Sequence, residues 1–185
     1  MSLCLVSMKE TDQKKLVTAV DEKRLLATAA ALVDVPSPPC DATAVATRLA
    51  EILMADGFEV ERPDAGWPKA PAVVTRLHGS SVGRTLQFDG HLDTVHLPFV
   101  PASVVDGNLL GLGASDMKGG IAACVEAMRA LRDADALQGG SVLLTTHDHH
   151  EAPWGDGRQV HGLIEGGFTG DAVLLPEYLA HPLPL

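Results

Sequence analysis

Cysteine is rare in this chain and nowhere paired. Cys4, Cys40 and Cys124 are the only three, and no two form a Cys-x-x-Cys. That spacing excludes a zinc knuckle and a disulfide framework. Each thiol reads as a small buried or neutral residue, in keeping with a reducing, cytoplasmic setting. Positive charge is also short. Fourteen basic residues face 24 acidic ones, the formal net charge is -10, and no basic block occurs. This balance argues against nucleic acid or an anionic membrane as a partner. No stretch reaches the roughly 18 apolar residues of a membrane span. Residues 3–6 are too short for the apolar core of a signal peptide and have no basic flank. Residues 1–7, ahead of Met8, read as a leader or an extended start. Phosphate-cradling loops are missing too. There is no Gly-x-x-x-x-Gly-Lys-Ser/Thr, and Gly111-Leu112-Gly113 lacks the third glycine of a dinucleotide fold.

What the chain does contain fits one globular domain. It has 185 residues, 46% of them apolar, which is enough for a real core. No repeat, low-complexity tract or internal linker divides it. Residues 11–33 read as one helix, because Leu16, Val20, Leu25, Leu26, Ala29, Leu32 and Val33 recur at helical spacing. Pro36, Pro38 and Pro39 must end it. Asp41 is the expected N-cap of a second helix over 42–56, which Gly57 closes. Strands are expected over 58–62, 72–77, 84–88, 141–146 and 172–175. A hairpin should turn at Asp106-Gly107, and helices should cover 117–133 and 158–166. Strands alternating with helices argue for an α/β layered fold.

Acids and imidazoles stand where the apolar runs end. His91 and Asp93 close the run through Phe88, Asp116 follows a glycine-rich turn, His147 to Glu151 close the run 142–146, and Glu177 closes the run 172–176. A parallel sheet gathers such strand ends at the edge where α/β proteins place ligands. Hard oxygens and imidazoles converging there suit a divalent transition metal. In Gly90-His91-Leu92-Asp93 the imidazole can face a metal while the carboxylate holds it in place; the plainer reading is a loop histidine beside a solvated aspartate. Asp116 can face a cation, cap the helix that follows, or do both. In His147-Asp148-His149-His150-Glu151 either His149 or His150 is a candidate ligand, as is Glu151. Trp154 is a pocket wall or a core residue.

Taken together, these segments resemble the M20 peptidases, the family of acetylornithine deacetylase, succinyl-diaminopimelate desuccinylase and the glutamate carboxypeptidases. The resemblance runs from about residue 20 to residue 180. Gly90 to Asp93 looks like the family's first motif, Gly111 to Gly120 its second, and Gly162 to Glu177 its strand ending in an acid. It implies a three-layer α/β catalytic domain, with a mixed, largely parallel sheet and helices on both faces. It also implies two divalent metals. By that resemblance His91 binds one metal, Asp116 bridges two, Glu177 joins His91 on the first, and Asp93 orients His91 from behind. Glu151 takes the position of a further ligand. His150 then falls where the family has a glutamate general base. A histidine there can carry the proton, act as a ligand, or mark lost activity. Zinc suits the donor set best, with cobalt or manganese able to substitute.

The implied activity is amide hydrolysis of N-acyl amino acids or small peptides by a metal-activated water. Family members run to roughly twice this length. Residues 8–185 therefore look like the first half of a catalytic domain without its lid, with a last histidine ligand missing, and little hydrolysis is expected of this chain alone. Self-association, or docking of a complementary half, would cover the open sheet. Two rival readings are a non-catalytic metal-binding fragment and an aminopeptidase on a related scaffold.

Overall fold

A computed structural model describes residues 10–177. The expected leader, residues 1–7, lies outside the described residues, as do Cys4 and everything after Glu177. The helix expected over 11–33 is two helices, α1 (Glu10–Thr18) and α2 (Glu22–Val33). The break falls at Asp21, whose side chain accepts the amides of Lys23 and Arg24 as the N-cap of α2. The following helix, α3 (Thr43–Ala55), has Ala42 at its N-cap and no side-chain cap, so Asp41 does not play the expected part. The amides of Cys40 and Ala42 donate instead to the carboxylate of Asp148, 106 positions beyond Ala42.

The strands are β1 (Val60–Glu61), β2 (Val73–His78), β3 (Thr85–His91), β4 (Ser103–Val105), β5 (Asn108–Leu110), β6 (Ser141–His147) and β7 (Ala172–Leu174); the remaining helices are α4 (Gly119–Asp133) and α5 (Arg158–Glu165). β4 and β5 form the expected hairpin around Asp106 and Gly107. The main sheet has the order β1-β2-β6-β3-β7. β6 is antiparallel to β2 but parallel to β3, and β3 is parallel to β7, so the sheet is mixed. Every residue of β6 is buried. A central strand covered on both faces reads as a continuous apolar run, as residues 142–144 do.

One face of the sheet packs Val73, Phe88, Val142 and Leu144 against α2, α3 and α4 through Leu32, Leu49, Leu53, Ile121, Val125 and Met128. The other face packs Ala72, Val74 and Leu143 against Leu163 of α5. Gly90 is where the chain must be thin. A Cβ there would lie 2.9 Å from Met117 Cε and 3.1 Å from Ile121 Cγ1. Among the described residues no helix is long and apolar enough to cross a membrane.

A buried polar network fastens the three helices of the first face. Glu126 of α4 is only 2% exposed and accepts from Arg24 Nε at 2.9 Å, Arg24 Nη2 at 2.8 Å and the Asp21 amide at 2.9 Å. Arg129, one turn on, donates to Thr28 Oγ1 at 2.8 Å and to Asp56 at the end of α3. Burial would raise the Glu126 carboxyl, but the Arg24 guanidinium, the Asp21 amide and Arg129 hold it below its ordinary 4.5. The unfolded chain then binds the proton more readily than the folded one, so this stabilisation is present above about pH 4.5 and is lost as pH falls through the lowered value. Glu126→Gln should therefore melt well below the wild type near pH 7, with the gap closing as pH falls through the lowered value. A gap that stays constant across that range would contradict the network's role.

Candidate metal centre

The carboxyl ends of β3, β6 and β7 lie side by side because β3 runs parallel to both neighbours. His91 stands opposite His147. Phe88 stands opposite Leu174, and the same register carried onward brings Glu177 level with His91. Turn and loop residues after these strands supply the rest of the site.

His91 is buried. Its Nδ1 lies 2.8 Å from the Asp93 carbonyl oxygen and 3.6 Å from Asp93 Oδ1. Its Nε2 lies 3.0 Å from Asp116 Oδ1. Burial would lower the imidazole's pKa, but the hydrogen bond to Asp93 and the charges of Asp93 and Asp116 raise it to about 9. The cationic ring then donates at both nitrogens. In the neutral ring the Asp93 carbonyl keeps the proton on Nδ1, and the Nε2 lone pair faces Asp116.

Asp93 is wholly buried, and its Oδ2 accepts the amides of His150 at 3.0 Å and Glu151 at 2.8 Å. Against burial, His91 and those amides hold its carboxyl below the usual range. Its main contacts thus fix the loop carrying His150 and Glu151, and its own main-chain carbonyl holds the His91 ring. Asp116 sits in the turn 114–118 between β5 and α4, with its side chain 46% exposed. It does not cap α4, whose N-cap makes no side-chain hydrogen bond. Glu151 Oε1 is buried with no hydrogen-bond partner. Burial and the neighbouring Asp116 push the Glu151 carboxyl above its usual range. An acid crowded by other acids, with an orphaned buried oxygen, is what a cation site leaves behind when described without its ion.

The tract after β6 divides. His149 has φ +66, a left-handed conformation, and the chain turns there. Its ring packs elsewhere, with Nδ1 3.7 Å from Cys40 Sγ and 3.6 Å from Asp156 Oδ1, and it meets Trp67 edge-on at 4.4 Å. His150 lies flat on His91, ring centroids 4.1 Å apart and planes 7° apart, with Nε2 4.0 Å from Glu177 Oε1. Burial, then the charges of His91 and His147, lower its pKa. Trp154 is exposed and meets His96 edge-on, so it is not a core residue.

Two ligand sets result. Ligand atoms of His91, Asp116 and Glu151 all lie within 4.8 Å of one another, and so do those of His91, His150 and Glu177. His91, Asp116, Glu151, Glu177 and His150 thus gather at one sheet edge, with Asp93 directly behind. Lys118 was given no part by its sequence context. It is 1% exposed, its Nζ donates to the Val35 carbonyl at 2.8 Å, and burial lowers its pKa to about 8. Its only signal is a lysine placed just before the glycine pair that opens α4. Asp148, whose carboxylate holds the Cys40 and Ala42 amides, is likewise structural.

Gly120, in the first turn of α4, lets the Glu177 segment close. A Cβ there would lie 2.0 Å from the Pro176 carbonyl oxygen. In an open helix Gly→Ala stabilises by about 1 kcal/mol. Here Gly120→Ala should instead destabilise by about 1–3 kcal/mol, the usual scale of overpacking. Urea denaturation reads the sign, and a stabilised variant would show that the approach is not real.

Residues 87–175 match Peptidase family M20/M25/M40. The chain is 36% identical over 141 residues to the succinyl-diaminopimelate desuccinylase of Methylorubrum populi, an alignment spanning 69% of this chain and 36% of that protein. Its fold matches that of a tripeptidase from Staphylococcus aureus with TM-score 0.72 and 22% identity, over 88% of this chain and 45% of that one. It also matches a dinuclear metal-binding peptidase of the M20 family from Bacillus subtilis, with TM-score 0.56 and 15% identity, over 89% of this chain and 43% of that one. The chain therefore spans less than half the length of each of these proteins.

Proposed function

We propose that this chain, whose residues 87–175 match Peptidase family M20/M25/M40, forms the metal-binding part of an amidohydrolase that cleaves N-acyl amino acids or small peptides. The observation that carries this reading is the gathering of His91, Asp116, Glu151, His150 and Glu177 at the ends of parallel strands. The substrate class follows the names of the relatives, one a desuccinylase and one a tripeptidase. His91, Asp116, Glu151 and Glu177 would hold up to two divalent ions. Zinc is favoured by the imidazole and carboxylate donors, and cobalt or manganese can substitute. Bound there, such ions supply Lewis-acid polarisation of the amide carbonyl and a more acidic water.

The chain's own residues do the positioning. Asp93 fixes the His91 ring through its carbonyl and the 150–151 loop through its carboxylate. Glu151, its pKa raised, sits beside Asp116 where charge must be balanced. The site is open: Asp116, His150 and Glu177 side chains are 46%, 43% and 40% exposed. Water reaches all three, so hydrolysis by this chain should be slow beside the about 1–1000 per second usual for enzymes. Self-association belongs to the same proposal, since among the described residues β7 is an edge strand whose Val173 and Leu174 are exposed, as is Leu175 beyond it.

The test is a zinc titration of the purified chain, followed by assay against N-succinyl amino acids and tripeptides. Tight zinc binding is expected, with slow amine release that a chelator stops and His91→Ala lacks. A chain that binds no zinc would overturn the reading.

A further inference from the structure

We propose that His150 is a metal ligand, forming with His91 and Glu177 a two-histidine, one-carboxylate set contributed entirely by this chain. The inference rests on the metal-binding reading above and goes beyond it, because that reading leaves His150 without a ligand role.

The three donors come from three neighbouring places at the sheet edge: the end of β3, the loop after β6 and the segment after β7. Their ligand atoms already lie within 4.8 Å of one another, with His150 Nε2 4.0 Å from Glu177 Oε1. Donors about 2.0–2.2 Å from one zinc in tetrahedral array stand about 3.3–3.6 Å apart. Closing onto an ion therefore takes only side-chain adjustments of about an ångström. Two histidines and one glutamate, with a fourth position open, is a set that catalytic zinc sites use.

The surroundings hold this arrangement. His150 is placed from behind, because its amide is tied to the Asp93 carboxylate that also tethers Glu151. Its ring is stacked on His91 nearly in parallel. Meanwhile His91 Nδ1 is engaged by the Asp93 carbonyl, which leaves Nε2 as the one nitrogen His91 can give. Both ligand sets need that nitrogen. An ion held by His150 and Glu177 thus takes the His91 lone pair, and Asp116 with Glu151 is left as an all-carboxylate position. Carboxylates alone bind zinc less well than a set with imidazoles. One tight zinc and a second, weaker one follow.

Zinc competition titrations against a chromogenic chelator, on the full chain, test this. His150→Gln should bind the tight zinc more than about 100-fold more weakly than wild type, beyond the roughly 10–100-fold typical of residues that only support a ligand. His161→Gln, at an exposed histidine of α5, should bind like wild type. X-ray absorption of wild-type chain loaded with one equivalent of zinc should count two imidazoles, a measurement that does not depend on any variant folding. Wild-type affinity in a folded His150→Gln variant, or a single imidazole at the zinc, would overturn this inference and leave the metal-binding reading standing. A wild-type chain that takes up no zinc would overturn both.

Discussion

Arg129→Ala should cost about 3–5 kcal/mol of folding stability, the scale for removing one partner from a buried charge set. The side chain is 3% exposed. It bonds Thr28 of α2, Glu126 of its own helix and Asp56 at the end of α3, and so joins three helices at one point. Three guanidiniums, Arg24, Arg129 and Arg132, balance three carboxylates, Glu126, Asp56 and Asp133, in this cluster. Removing Arg129 leaves it with one excess negative charge. Glu126 keeps Arg24, but Asp56 loses its one side-chain ion pair among the described residues. The lost guanidinium also leaves a hole among α2, α3 and α4. Lys14→Ala, which breaks a pair whose side chains are 75% and 80% exposed, should change stability by less than about 1 kcal/mol. Denaturant midpoints of the two variants measure the contrast. Equal losses would mean that the buried network is not what holds the helices together.

Much of this architecture was legible because it is local. The fully buried run of β6, the Asp-Gly turn of the β4–β5 hairpin and the apolar stripe of α4 each announce themselves within a few residues. Long-range contacts set the elements that depart from local pattern. Nothing between Thr18 and Glu22 is a helix breaker, yet the helix stops there. Asp21 is drawn to Glu126, 105 residues away, and caps α2 from that position. Asp41 has the right chemistry for a cap, but the N-cap position falls on Ala42, and the entry to α3 is tied instead through the Cys40 and Ala42 amides to Asp148. Of the two parts open to Asp116, facing a cation or capping a helix, the first matches its place at His91.

At the site, the residue types and their places at strand ends were readable, but their partners were not. In an extended tract His147 and His149 would share a face. The left-handed turn at His149 breaks that alternation and brings His150 onto His91. A histidine adopts positive φ more readily than most residues, but no neighbouring residue signals it. The part played by Asp93 was half visible. Its proximity to His91 follows from spacing, whereas its hold on the 150–151 amides depends on how β6 ends.

Asp116→Ala and Asp93→Asn should therefore change places depending on what is measured. Asp116 offers its Oδ1 to the space between His91 and Glu151, is half exposed, and supports no helix cap. Its loss removes a donor from an already small ligand set, so zinc affinity at the weaker Asp116–Glu151 position should fall by more than about 100-fold. Without metal the same change takes the Asp116 partner from His91 Nε2 but removes one like charge from beside Glu151. The two effects oppose, so stability should fall by less than about 1 kcal/mol. Asp93→Asn acts the other way. Its amide oxygen can still accept the His150 and Glu151 amides, but its NH2 group then faces His91 Nδ1, which already carries the proton it gives to the Asp93 carbonyl. Two donors meet in a buried place with no acceptor between them, at a cost of about 1–3 kcal/mol. His91 nevertheless remains, so zinc affinity should fall only about 10–100-fold. Thermal melts of metal-free protein, set beside zinc titrations of both variants, give the two orders. If Asp93→Asn proved the worse zinc binder, or Asp116→Ala the less stable protein, Asp116 would be the structural residue and Asp93 the ligand.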